Sequence, residues 1–168
     1  MRLAMPVRAR DVMETDVLSV APSTSLAELS DFLISQRISG VPVVEDGVLV
    51  GIVSRSDVVR SLSLERSLVG MVAEGTEHTD FSPGEAHAQA VLPESLSPEL
   101  RRRTVRDIMV VDVVTVAPDA EIGEVARVLV DRHLHRVLVT EGRTVRGVIS
   151  ALDLVQLIAD GRLATPSS

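Results

Sequence analysis

Val145-Arg146-Gly147-Val148-Ile149-Ser150-Ala151-Leu152-Asp153-Leu154 reads as a buried strand carrying one glycine and running into a helix start. Leu49-Val50-Gly51-Ile52-Val53-Ser54-Arg55-Ser56-Asp57-Val58 says nearly the same thing. Gly51, Ser54 and Asp57 recur as Gly147, Ser150 and Asp153, each 96 residues on. The same offset carries Asp11 to Asp107, Met13 to Met109, Asp16 to Asp112, Pro22 to Pro118 and Leu33 to Leu129. Residues 8–60 and 104–156 align without a gap, and 17 of the 53 positions are identical. Chance gives only a few identities, so the chain contains an internal duplication. Two copies are too few for a solenoid. They predict a two-lobed unit with pseudo-twofold symmetry.

The chain has 168 residues, and each repeat spans about 55–60 of them, a marginal size for an independent core. The repeats are therefore expected to pack into one module. Hydrophobic residues make up 45% but aromatics only 1%, so Val, Leu, Ile and Ala must build the interior. There is no cysteine, which excludes disulfide and thiolate chemistry. All 17 basic residues are arginine, which excludes a lysine Schiff base. A net charge of −7 argues against nucleic acid as a partner. No apolar run approaches the roughly 18 residues of a membrane span. The start, Met1-Arg2-Leu3-Ala4-Met5-Pro6, lacks the apolar stretch of a signal peptide. No membrane association is expected, and the location read from this is cytoplasmic.

Each copy reads as strand, helix, strand, strand, helix. Residues 7–13 form a lead-in turn, and Val17-Leu18-Ser19-Val20 a short strand stopped by Pro22. Ser25 opens a helix, with Glu28 completing a capping box. Leu26, Leu29, Leu33 and Ile34 give that helix its apolar face, as Ile122, Val125, Ala126, Leu129 and Val130 do in the second copy. Gly40 to Val44 and Val48 to Val53 form a hairpin across an Asp46-Gly47 turn. A second helix is expected over roughly Asp57 to Leu68, and Gly161 stops its counterpart. The boundaries are 7–69 for the first repeat, 70–103 for a linker, and 104–163 for the second repeat. Gly70 to Pro93 is small and polar and is expected to be dispensable for folding. Ser97-Pro98 opens a short helix to Arg103. The fold class is α+β, two β-α-β-β-α repeats packed with pseudo-twofold symmetry.

The Asp11-Val12-Met13 lead-in, Gly40-Val41-Pro42-Val43, Gly51 to Asp57 and their second copies together resemble the tandem cystathionine-β-synthase (CBS) domain pair, or Bateman module. The resemblance covers nearly all of 7–160, and its strength lies in the order of motifs at a fixed offset. It implies two clefts between the sheets that take adenosine-containing ligands: AMP, ADP, ATP or S-adenosylmethionine. It also implies a regulatory module that dimerises.

Ser54 with Asp57, and Ser150 with Asp153, have two readings. Ser-x-x-Asp at a helix start is a cap in its own right. The resemblance implies that each Asp also accepts the ribose hydroxyls and that each Ser assists near the sugar or phosphate. Ile38-Ser39-Gly40-Val41-Pro42 borders the cleft on this reading, with a plain strand start as the alternative. The second copy departs there: His135-Arg136-Val137-Leu138 replaces Ser39-Gly40-Val41-Pro42, so the glycine and the proline are both absent. His135-Arg136 resembles the γ subunit of AMP-activated protein kinase, where matching residues face nucleotide phosphates. Arg136 is then a phosphate ligand, or else a surface ion pair with Asp131 or Glu141. Arg55 is a second phosphate candidate against a solvated reading. Ser19 and Thr115, equivalent in the two repeats, are placed near the adenine edge.

His133-Leu134-His135 and the crowd at Glu77, His78, Asp80, Glu85 and His87 do not make three or four converging ligands, so no metal is expected. No Gly-x-Ser-x-Gly, His-Glu-x-x-His or P-loop occurs, and no nucleophile–base pair is visible. The sequence therefore reads as a stand-alone, non-catalytic regulatory protein that requires no cofactor. It binds an adenosyl small molecule and signals to an unknown protein partner. The alternative is a structural dimerisation module with degenerate clefts. A homodimer is expected, with Leu26, Leu29, Leu33, Ile122 and Leu129 offered as the apolar surface to be covered.

Overall fold

The computed structural model describes residues 7–61 and 102–162. In the first repeat α1 spans Leu26–Ser35, β1 Gly40–Glu45 and β2 Val48–Ser54, and residues 55–61 begin α2. In the second, β3 is Thr115–Val116, α3 Ile122–Asp131, β4 Arg136–Glu141, β5 Thr144–Ser150 and α4 Ala151–Ala159. The linker 70–93, the Ser97-Pro98 helix and the Glu77–His87 cluster lie outside the described residues.

The chain divides into two compact units, and neither coincides with a repeat. One comprises Met1–Leu18, Glu45–Leu49 and Asp112–Ser168; the other comprises Ser19–Val44 and Val50–Val111. The first-repeat unit pairs β1 with β2, and Val20 adds a parallel bridge to Val43. Its core is Leu26, Leu29, Leu33, Val41, Val43, Val53, Val58 and Val105. Val105 comes from the second repeat. It lies in a 3-10 turn, Val105–Asp107, whose amides reach the carbonyls of Thr24 (2.8 Å) and Pro22 (2.9 Å). Ile52 and Val110 then exchange two backbone hydrogen bonds of 2.9 Å.

The second-repeat unit repeats this arrangement with the segments reversed. Its sheet runs β3-β4-β5, with β3 parallel and β5 antiparallel to β4. The first repeat's turn Ala9–Asp11 donates the Ala9 amide to Ala120 (2.9 Å) and the Arg10 amide to Pro118 (3.0 Å). Glu14 and Val148 exchange two bonds of 2.9 Å. Ala9 is fully buried among Val116, Ile122, Val125, Leu129, Val137, Val139, Ile149 and Leu157. Each repeat therefore lends its lead-in segment to the unit built on the other repeat.

Glycine at the middle of β2 and β5 has a steric cause. A Cβ on Gly51 would lie 2.9 Å from Met109 Sδ and 3.0 Å from the Val110 carbonyl. One on Gly147 would lie 2.7 Å from Met13 Cγ and Sδ. The lead-in methionines press flat against these two positions.

The Asp46-Gly47 turn is present, with both residues at positive φ (52° and 78°), as a type I′ turn requires. The Ser25–Glu28 capping box forms, and Gly161 (φ 66°) ends α4 in a Schellman motif. In that motif Gly161 donates to Ile158 and Arg162 to Leu157.

Some expectations change. Val17–Val20 is not a strand but a single bridge at Val20, because only Val20 reaches β1. The second helix begins at 55 rather than 57, since Ser54 itself caps it. The His133-Leu134-His135 run, whose alternate spacing suits a strand edge, precedes β4 instead, and His133 is not in a strand. It occupies the left-handed residue (φ 53°) that ends α3, as Arg37 (φ 54°) ends α1. Leu26, Leu29, Leu33, Ile122 and Leu129 are each 5% exposed or less, so they fill the two cores and leave no surface to cover.

Candidate ligand site

In the first-repeat unit β2 runs directly into α2. The Ser54 amide (2.8 Å) and Ser54 Oγ (2.6 Å) both donate to Oδ2 of Asp57. The Asp57 amide donates back to Ser54 Oγ at 3.4 Å. Arg60, one turn on, donates from Nη1 to Oδ1 of Asp57 at 3.1 Å. The amide of Arg55 donates to the Ser39 carbonyl at 2.9 Å, which fixes the start of β1 beside the start of α2. Gly40 allows that approach: its Cβ would meet the Val53 carbonyl at 3.2 Å and Ser54 Cβ at 3.4 Å.

The second-repeat unit builds the same corner. The Ser150 amide and Oγ donate to Oδ2 of Asp153, both at 2.7 Å, and the Asp153 amide returns a 3.3 Å bond to Ser150 Oγ. Ala151 donates to the His135 carbonyl at 3.0 Å, so His135 and Arg136 take the places of Ser39 and Gly40. The two aspartates also differ in what reaches Oδ1. Oδ1 of Asp153 accepts no hydrogen bond among the described residues. Its neighbour one turn on is Gln156, which donates to Asp160 instead (2.8 Å).

The structure thus brings Ser39, Gly40, Ser54 and Asp57 together in one unit, and His135, Arg136, Ser150 and Asp153 in the other. Ser19 precedes the Val20 bridge, whose amide reaches the Pro42 carbonyl (3.1 Å), and Thr115 is the register partner of Leu138. These sit on the parallel edges of the same sheets. Val41 (1% exposed) and Val137 (3%) are core side chains and offer a ligand only their backbone. Pro42 is buried and Ile38 packs against the core.

Arg136 is exposed and pairs with neither Asp131 nor Glu141; Glu141 is held by Arg146 at 2.6 Å. Arg55 spends one guanidinium nitrogen on the Leu33 carbonyl (3.0 Å), closing the end of α1. Among the described residues no group of three or more His, Asp or Glu converges as a metal site, and no helix is long and apolar enough to cross a membrane. The residue that sequence reasoning missed is Arg60. Its spacing of three from Asp57 on a helix was the available signal.

The CBS domain family matches residues 9–64 and 105–160. The chain belongs to the CBS domain family. The zinc metalloprotease MJ0392 of Methanocaldococcus jannaschii is 27% identical over 91% of this chain. The 5′-AMP-activated protein kinase subunit gamma-3 of Bos taurus is 30% identical over 85% of it. The chain spans only 32% and 24% of the lengths of these two relatives. Among solved structures, CBSX2 in complex with AMP superposes with a TM-score of 0.66 at 19% identity, covering 93% of this chain and 98% of that one. The CBS domain pair of protein MJ0100, in complex with 5′-methylthioadenosine and S-adenosyl-L-methionine, gives 0.63 at 19% identity, covering 92% and 98%. These likenesses establish the CBS-pair fold.

Proposed function

We propose that this CBS pair is a regulatory module that binds an adenosine-containing ligand, AMP, ADP, ATP or S-adenosylmethionine, at its two Ser–Asp corners. The observation that carries the reading is the duplicated corner itself. A carboxylate anchored through Oδ2 by a serine keeps a fixed orientation at a helix start, beside the first residues of a strand. Such a carboxylate can accept a vicinal diol, which needs acceptors and no donor. Two of the CBS pairs with this fold are complexes with adenosyl ligands, which supports that chemistry. In the second-repeat unit, Arg136 adds a guanidinium suited to a phosphate. The ligand is a regulator rather than a substrate, and its occupancy is reported to a protein partner in the cytoplasm.

The test is calorimetric titration of AMP into wild type, Asp57→Ala and Asp153→Ala, with melting in parallel. Loss of a hydrogen bond to a charged acceptor costs about 1.5–3 kcal/mol, or roughly ten- to a hundredfold in affinity. A role limited to capping costs about 1 kcal/mol of stability and leaves affinity unchanged. Unchanged affinity in both variants refutes the assignment of the site to the two Ser–Asp corners, and no AMP binding by wild type favours a module with degenerate sites.

A homodimer belongs to the same proposal, on a different surface from the one the sequence suggested. Leu152 (74% exposed), Val155 (57%) and Ile158 (57%) follow at three-residue spacing along α4. A second copy of the chain would cover this stripe. Sedimentation of Val155→Asp should show monomer where wild type shows dimer; a wild-type monomer at tens of micromolar, roughly well above ordinary dimer affinities, rejects it.

A further inference from the structure

We infer that Arg60 weakens the Asp57 corner relative to the Asp153 corner by occupying part of the Asp57 carboxylate that its counterpart leaves open. The inference rests on the ribose reading above. The duplication supplies an internal control. Ser54 and Ser150, and Asp57 and Asp153, are equivalent and make the same hydrogen bonds to within 0.1 Å. Position 60 is Arg and position 156 is Gln. Arg60 closes onto Asp57 Oδ1, whereas Gln156 turns to Asp160. A diol that donates both hydroxyls to Oδ1 of Asp57 must therefore displace a guanidinium, because that oxygen accepts about two bonds and Arg60 takes one; one arriving at Asp153 displaces no protein donor among the described residues.

The competition is modest in size. The Arg60 side chain is 69% exposed and that of Asp57 only 11%, so the guanidinium is solvated and free to swing while the carboxylate stays in place. A pair of this kind shifts an equilibrium by about two- to fivefold. Arg60 is thus an affinity-determining residue that acts on Asp57 and not a contact the ligand requires.

The experiment uses the full chain, each corner isolated by disabling the other. In an Asp153→Ala background, Arg60→Gln should tighten binding at the Asp57 corner by about two- to fivefold. In an Asp57→Ala background, Gln156→Arg should weaken the Asp153 corner by a similar factor. AMP and adenosine are both titrated, because a competitor for the carboxylate affects both alike. Weaker AMP binding in Arg60→Gln with adenosine unchanged would make Arg60 a phosphate contact and overturn the inference. So would no change in either swap. If Asp57→Ala and Asp153→Ala themselves leave affinity intact, the ribose reading has failed first. If they lose affinity and the swaps do nothing, only the role of Arg60 has failed. Should Asp153→Ala abolish all measurable binding, Gln156→Arg in the Asp57→Ala background decides alone, and no weakening there overturns the inference. Melting of every variant confirms that the fold is intact.

Discussion

At the scale of the residue, the two strand glycines show how closely the lead-in segments are fitted. Gly51→Ala sets a methyl 2.9 Å from Met109 Sδ and 3.0 Å from the Val110 carbonyl; Gly147→Ala sets one 2.7 Å from Met13 Cγ and Sδ and 2.8 Å from Met13 Cβ, which the backbone holds in place. Overpacking of this kind costs about 1–3 kcal/mol. Both should sit at the upper end of that range, with Gly147→Ala at least as costly as Gly51→Ala, which denaturant melts can rank. A clearly smaller loss in Gly147→Ala would show that the Met13 segment yields more readily than the Val110 backbone. A second pair of residues carries strain of the opposite sort. Arg37 and His133 hold left-handed backbone at equivalent helix ends, where glycine has no steric penalty. Arg37→Gly and His133→Gly are each expected to stabilise by up to about 1 kcal/mol, the relieved strain of about 1–2 kcal/mol less the entropy glycine adds to the unfolded chain. A fall in melting temperature would mean that the Arg37 or His133 side chain contributes more than its backbone costs.

At the scale of the element, α1 and α3 are copies with one difference at the start. Ser25 caps α1 and is answered by Glu28, but Glu121 begins α3 with no side-chain cap. Glu124 already stands three residues on, so Glu121→Ser should complete a capping box and add about 1 kcal/mol. Thermal unfolding reads it, and no rise would show that the Arg8–Glu121 bridge leaves the new hydroxyl unable to reach. The existing box also has a pH signature. Glu28 is held below the usual carboxylate range, chiefly by the Ser25 amide and then by its hydroxyl. A lowered folded value means the contribution is present above the ordinary carboxylate pKa and is lost as pH falls through the lowered one. Glu28→Gln should flatten that part of the acid melting profile. These elements were legible because caps, periodicity and the Asp-Gly turn are local. Val17–Val20 was misread because a strand is defined by its partner, and β-branched residues alone do not supply one. The ends of α1 and α3 were not legible because Arg37 and His133 stand where glycine would have announced them.

At the scale of the whole molecule, the duplication was plain in the sequence but the exchange of segments was not. Ala9 and Val105 are apolar residues at equivalent places, and their pattern says that they are buried without saying against what. Contiguity suggests their own repeat; the structure puts Ala9 in the core of the second and Val105 in that of the first. The consequence is a prediction about fragments. Residues 7–69 alone would lack Val105, the amides that reach Thr24 and Pro22, and the Val110 partner of Ile52. Burial of one valine is worth about 1.5–3 kcal/mol, a large share of what a unit of some 60 residues has to spare. Residues 104–163 would lose Ala9 and the Glu14–Val148 pair in the same way. Each fragment should therefore be unfolded by circular dichroism alone, and an equimolar mixture should regain cooperative melting, because each carries the segment that completes the other. Cooperative unfolding of either fragment by itself, at the temperature of the intact chain, would show that the exchanged segments decorate two cores already able to stand without them.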